Sequence, residues 1–300
     1  MQELTIALCQ GRWHGDRERT QASYAALVAE AAAAGAELIC LPEFTLSPYF
    51  PATRDASGYQ WAEALSGGPS GRAFAQWSNE HRVHILGSIF ERGAGSDSHW
   101  DTAVLYDPEG RLSHFTRKVH IPAGEGYHES DFFGGARAFP VHDIGALRLA
   151  APTCYDQWFP ELARIYALRG AELIVYPTAI GSEPNAPQFD SRDAWQLVMR
   201  GHAVANGIFI AACNRWGQER VTFYGSSFIC DPRGQLLAEA PRDEDAVIIA
   251  QLQPDTLTEY RTLFPLLHQR RPEVYGALLA ENAAADAPEW LSEAAKGVGA

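Results

Sequence analysis

The sequence predicts an α/β protein in which two mixed sheets pack face to face and helices cover the outside. Three observations lead there. Short apolar runs bounded by Gly and Pro alternate with helix-length segments, as strand–helix–strand units do. The block Gly35-Ala36-Glu37-Leu38-Ile39, followed two residues later by Pro42, recurs as Gly170-Ala171-Glu172-Leu173-Ile174 with Pro177. The turn Asp107-Pro108-Glu109-Gly110 recurs as Asp231-Pro232-Arg233-Gly234. Two signatures repeated in one order imply internal pseudo-two-fold symmetry. Crossover units need parallel neighbours and right-handed connections, whereas the hairpins add antiparallel strands.

Each element follows from local chemistry. Thr5 to Gln10 is a buried strand, and Thr20 to Ala34 is an Ala-rich helix closed by Gly35. Leu38 to Leu41 is a second strand, stopped by Pro42 and followed at once by Glu43. A Pro- and Gly-containing loop then runs to a helix spanning Gly71 to His81. Val83 to Phe90 and Trp100 to Tyr106 are strands, and Asp107 to Gly110 is a turn with Pro in its second position. The return strand, Leu112 to Thr116, delivers Arg117 and Lys118, and a Gly-rich loop covers 119–138. The apolar run Leu149 to Thr153 ends at Cys154, and after a polar elbow Pro160 opens a helix that Gly170 closes. Ala246 to Gln251 is the last core strand, 254–275 reads as an extended arm anchored by Phe264, Pro265 and Tyr275, and a single domain spans 1–275. The Ala-rich tail 276–300, with Trp290 and Leu291, either docks on a partner subunit or frays.

Composition excludes several classes. A formal charge of −13 argues against nucleic-acid or anionic-membrane surfaces. No run approaches the roughly 20 apolar residues that span a bilayer, and the N-terminus lacks the features of a signal peptide. Five cysteines, odd in number, widely spaced and without CxxC, make neither a disulfide framework nor a zinc site and suit a cytoplasmic protein. No metal or cofactor is expected.

Three chemically capable residues immediately follow predicted core strands: Glu43, Lys118 and Cys154. Charges placed there are costly to bury singly and tolerable when they face one another. A thiol nucleophile needs a base for its proton and a donor for the oxyanion, and this trio supplies both without histidine. A thiol at a strand-to-helix elbow is expected to gain thiolate character from backbone N–H groups and the helix dipole. Cys154 could equally be a small buried residue. The rival constellation is Cys154 with His202 and Asn206 or Asn214, although His202 sits on a segment read as helix running into strand, where a packed or capping role fits.

Leu41-Pro42-Glu43-Phe44, Arg117-Lys118-Val119-His120-Ile121-Pro122 and Cys154-Tyr155-Asp156-Gln157-Trp158-Phe159-Pro160-Glu161 resemble the three catalytic signatures of the nitrilase superfamily of carbon–nitrogen hydrolases. The closer likeness is to the N-carbamoylputrescine amidases, through Asp156-Gln157-Trp158, Tyr176 to Gly181, Arg200 to Ala203, Asn214-Arg215 and Tyr224 to Phe228. The resemblance implies a four-layer αββα sandwich, assembled as a homodimer or larger homo-oligomer. It makes Glu43 the general base, Lys118 the oxyanion-stabilising lysine, Cys154 the nucleophile and the backbone N–H of Tyr155 a second oxyanion donor. A further acid in the loop after the lysine matches Glu129, with Glu125 as competitor.

The implied reaction is thiol-dependent hydrolysis of a carbamoyl or amide C–N bond, N-carbamoylputrescine giving putrescine, carbon dioxide and ammonia in polyamine biosynthesis. Glu183 either pairs with the substrate's distal ammonium or is a rim acid in solvent, and Trp158 and Trp195 either line the pocket or pack its wall. Two departures flank the pocket. Ala150 to Thr153 replaces the family's Gly and aliphatic run, Pro152 removing a strand donor, and Ala123-Gly124-Glu125 replaces an acidic Pro-Gly loop. The competing functions are an amidase or carbamoylase on another small amide, a nitrilase, a non-catalytic binding or scaffold protein, and a redox sensor, which lacks a resolving thiol nearby in sequence.

Overall fold

Residues 1–280 apart from 94, 96 and 97 are described by a computed structural model. The first half runs β1 (Leu4–Gln10), α1 (Arg17–Ala33), β2 (Leu38–Cys40), β3 (Glu63–Ala64), α2 (Pro69–His81), β4 (His84–Arg92), β5 (His99–Tyr106) and β6 (Leu112–Arg117). The second half runs β7 (His142–Asp143), β8 (Arg148–Ala150), α3 (Pro160–Leu168), β9 (Leu173–Thr178), α4 (Arg192–Asn206) and β10 (Phe209–Asn214). It continues through β11 (Trp216–Gln218), β12 (Thr222–Tyr224), β13 (Phe228–Cys230), β14 (Leu236–Glu239), β15 (Ala246–Leu252) and α5 (Pro254–Leu263).

The strands form two main sheets, ordered β15-β1-β2-β4-β5-β6, with β3 on β4, and β14-β13-β10-β9-β8-β7. Within them β1-β2-β4-β5-β6 and β8-β9-β10-β13-β14 follow one plan, two parallel pairings and then two antiparallel ones. The repeat extends to side chains. Asp107 Oδ1 accepts from Glu109 and Arg111 N–H, and Asp231 Oδ1 accepts from Arg233 and Gln235 N–H. Gly110 and Gly234 close these turns at φ 79° and 73°, where a Cβ would be strained.

Alternation along the strands builds the layers, because successive side chains point to opposite faces. Leu38 and Cys40 of β2 and Leu173 and Val175 of β9 meet in the core between the sheets. Ile39 instead packs outward with Tyr24 and Val28 of α1 and Phe74 and Trp77 of α2. Ile174 and Tyr176 pack outward with Tyr166 of α3 and Met199 of α4. The result is an αββα sandwich whose central strands β2 and β9 are buried at every position because both faces are covered.

Several boundaries differ from the sequence reading. Helix α1 starts at Arg17 because Asp16 caps it, accepting from Arg19 N–H at 2.8 Å. Strand β8 ends at Ala150, so Pro152 lies beyond the ladder and costs it no hydrogen bond. The supposed extended arm begins as helix α5 with Pro254 at its first turn, where the missing N–H is harmless, and a 3₁₀ segment follows at Pro272–Leu279. Phe264 and Tyr275 are 48% and 37% exposed, so neither anchors the segment to this chain. Trp290 and Leu291 lie outside the described residues.

Phe209 is 1% exposed in the inter-sheet core. Phe209→Ala should therefore lower unfolding free energy by about 3–5 kcal/mol, read by chemical denaturation of the folded variant.

Candidate active site

Strand ends deliver the chemistry. Glu43 follows β2, and its turn is fixed by Phe44 N–H donating to Ser88 Oγ (3.1 Å) and Glu43 N–H to Thr178 O (3.4 Å). Lys118 follows β6, its N–H donating to Asp101 O of β5 at 2.9 Å. Cys154 follows β8 at φ 42°, an uncommon conformation for a residue with a Cβ, and starts a 3₁₀ turn running to Trp158. Asp156 clamps that turn to the lysine loop. It accepts from Val119 N–H (3.2 Å), His120 N–H (2.8 Å) and Thr153 N–H (3.2 Å), and contacts His120 Nδ1 (2.8 Å).

The structure brings Glu43, Lys118, Glu129 and Cys154 together. Lys118 Nζ donates to Glu43 Oε1 at 2.7 Å and to Glu129 Oε2 at 2.5 Å, and lies 3.2 Å from Asp101 Oδ2, with no exposure on any of the four side chains. Glu129 is completed by Tyr49, whose hydroxyl donates to Oε1 at 2.7 Å. Glu125 does not compete for the lysine, its side chain being 61% exposed and 3.7 Å from His128. The three carboxylates around Lys118 offer oxygens within 4.8 Å of one another, a set that could hold a divalent cation. Here the ammonium itself supplies the positive charge.

Burial pushes Glu43 well above the ordinary carboxylate range, against the pull of Lys118 and with help from Asp101 and Glu129. The Cys154 thiol is also pushed well up, first by burial and then by Glu43, while Lys118 and the Ala179 N–H oppose. This overturns the expectation of a thiolate-favouring elbow. Helix α3 starts only at Pro160, after the 3₁₀ turn, so its dipole does not begin at Cys154. Burial and the neighbouring acids thus disfavour thiolate at Cys154, and burial likewise favours the protonated form of Glu43.

Cys154 opens on a cavity of about 410 Å³ whose wall includes Tyr127, Tyr155, Trp158, Glu183 and Phe189. Glu183 is half-buried, and burial raises its carboxyl. Trp158 lines the cavity, whereas Trp195 does not: it is fully buried in the outer core, 5.7 Å from the Tyr224 ring and 5.4 Å from the Phe228 ring. The rival histidine arrangement is not assembled. His202 Nε2 contacts Gln157 O at 2.9 Å, Asn206 donates to His202 O, and Asn214 holds both backbone groups of Ile180.

Sequence reasoning missed Tyr49, Tyr127, Phe189 and Asp101. Tyr49, Tyr127 and Phe189 sit on irregular loops without local pattern. Asp101 left a signal, since it shares a face of β5 with Ala103 and Leu105, which point into the inter-sheet core. A lone acid on that face marks a polar site.

Comparison with known proteins agrees with this geometry. The carbon–nitrogen hydrolase family model matches residues 5–262. The chain belongs to this family, within the nitrilase superfamily. It is 34% identical over 285 residues to the citrullinase of Francisella tularensis, covering 93% of this chain and 99% of that one. It is 36% identical over 287 residues to the N-carbamoylputrescine amidase of Arabidopsis thaliana, covering 92% and 95%. The solved structure of a carbon–nitrogen hydrolase from Helicobacter pylori G27 superposes with a TM-score of 0.87 at 29% identity, covering 93% and 99%. This family hydrolyses non-peptide C–N bonds, and the αββα sandwich is its fold.

A raised thiol forms thiolate only as pH climbs. Alkylation of Cys154 by iodoacetamide without substrate should be slow at neutral pH and still accelerating in the alkaline range, monitored by peptide mass spectrometry. A rate already saturated at neutral pH would contradict the assignment.

Proposed function

We propose that this hydrolase acts on a small carbamoyl amine, N-carbamoylputrescine being the substrate that fits best, and releases putrescine, carbon dioxide and ammonia. The observation that carries the choice is the charge of the cavity wall. Glu125, Glu129 and Glu183 line it, and no Lys or Arg does among the described residues. A substrate with a distal ammonium gains from Glu183 and from the aromatic faces of Tyr155 and Trp158. Citrulline adds a carboxylate beside its distal ammonium and N-carbamoyl-β-alanine ends in a carboxylate alone, and this wall offers neither carboxylate a cation. The exposed Leu263, Phe264, Val274 and Leu278 support assembly as a homo-oligomer.

The chemistry runs through the buried cluster. Glu43 takes the Cys154 proton as sulfur attacks the carbamoyl carbon. Lys118 Nζ and the Tyr155 N–H stabilise the oxyanion, and Glu43 returns the proton to the departing amine. Glu129, held by Tyr49, keeps Lys118 in place and helps position water. That water, deprotonated by Glu43, releases carbamate, which falls to carbon dioxide and ammonia.

Cys154→Ala should abolish turnover while the protein remains folded, and near-normal hydrolysis would end this reading. Lys118→Ala should lower kcat on the order of 10²–10³-fold. For Glu183→Gln, the kcat/KM ratio of N-carbamoylputrescine to N-carbamoyl-β-alanine should fall about tenfold. An unchanged ratio removes Glu183 from substrate recognition. Ammonia release across carbamoyl amines, citrulline, amides and nitriles tests the substrate class itself.

A further inference from the structure

The charge balance around Lys118 leaves something unexplained. One ammonium faces three carboxylates, Glu43, Asp101 and Glu129, all without solvent exposure. A single lysine and its usual partner would need one acid, and a second can orient it. A third buried carboxylate adds a like charge that costs free energy unless it has a task.

The hydrogen bonds show which acids are satisfied. Both oxygens of Glu129 have donors, Tyr49 on one and Lys118 on the other. Glu43 Oε1 has Lys118, and Asp101 Oδ1 has the Ser88 hydroxyl at 3.1 Å. The buried oxygens without a hydrogen-bond donor are Glu43 Oε2 and Asp101 Oδ2, the latter having only its ion-pair approach to Lys118. Glu43 and Asp101 each place a carboxylate oxygen within 4.8 Å of the other. One proton placed between these carboxyls would satisfy both at once.

We propose that Asp101 is a positioning residue for the base, sharing with Glu43 the proton taken from Cys154, so that the proton acceptor is a carboxylate pair. The inference rests on the hydrolase reading above and adds a residue to it. The S–H bond of Cys154 breaks, sulfur keeps the electron pair for attack on the carbonyl carbon, and the pair holds the proton. The pair passes that proton to the leaving nitrogen. It then takes one from the attacking water and returns it to sulfur when the thioester collapses. No other oxidant, reductant or proton source is required.

The pairing answers a mismatch in basicity. An isolated carboxylate is several pH units less basic than a thiol, and burial raises the thiol further. Two facing carboxylates hold a shared proton more tightly than either alone. The other groups facing Glu43 are Tyr49 from the loop after β2, Lys118 from the end of β6, Glu129 from the following loop and Cys154 from the elbow after β8. Lys118 makes Glu43 less basic, so Asp101 offsets part of its pull.

The test is the pH dependence of kcat/KM. The reaction needs Glu43 unprotonated, so activity is lost as pH falls through its raised proton affinity. Asp101→Asn removes the like charge and the second acceptor. Its acid limb should move about one pH unit lower, with plateau kcat reduced about tenfold. A limb unmoved in Asp101→Asn overturns the proposal whatever happens to kcat, because a packing role would lower the rate without displacing it. If Asp101→Asn does not fold, Asp101→Ser takes its place: a limb moved to lower pH supports the shared proton and no shift overturns it. Retained turnover in Cys154→Ala would instead fail the hydrolase reading, which keeps the two failures distinct.

Discussion

A lysine ammonium sealed among carboxylates is the interaction on which the site depends. Lys118 and its three acids come from separate segments, after β2, on β5, after β6 and in the loop beyond it, and none is exposed. Burying any one charge alone would be prohibitive, and removing one partner from such a cluster typically costs about 3–5 kcal/mol. The cluster therefore forms only when those elements are in register, and it holds them there. The same dryness raises the proton affinity of Glu43 and Glu129. Stability and reactivity come from one desolvation.

The elbow is constrained from the other side. Cys154 sits at positive φ, a conformation that costs free energy and persists only where its surroundings impose it. Asp156 imposes it by binding backbone N–H groups of both the elbow and the lysine loop. His202 adds a tether from α4 through Gln157 O. The histidine that a sequence reader would consider for catalysis thus holds the backbone of the Cys154 turn instead.

Much of this was legible in the chain. The strand-terminal positions of Glu43, Lys118 and Cys154 follow from short apolar runs that end abruptly in a reactive residue. The repeat was legible because identical turn chemistry, Asp at the start and Gly at positive φ, demands the same residues twice. What sequence could not supply was long-range charge. The elbow suggested a thiolate, yet the dominant influence on Cys154 is burial beside Glu43, a residue 111 positions earlier (154 − 43). Local pattern likewise ranked Trp195 with Trp158, although helix α4 turns Trp195 into the outer core. The α5 segment was misread because Pro254 signals a break when seen alone and a helix start when followed by a helical turn.

The repeat also explains why there is one site and not two. Strand registers pair Ile6 with Leu38 and Leu149 with Leu173, and the GAELI blocks equate Leu38 with Leu173. Counting on from these, Cys154 corresponds to Gly11 and Glu43 to Thr178. The hairpin turns equate Lys118 with Arg242 and Asp101 with Gly225. The second rim has been given over to packing. A Cβ on Gly11 would meet the Tyr24 ring at 2.8 Å, and one on Gly225 would meet Arg242 O at 2.6 Å. Gln10 occupies the neighbouring space, donating to Pro241 O and accepting from the Ser227 hydroxyl. Glu43 and Thr178, the two equivalent positions, touch through a backbone hydrogen bond across the sandwich. One rim thus keeps a costly charged cluster, while the other is a packed seam, held by Gln10, that stabilises the frame around it.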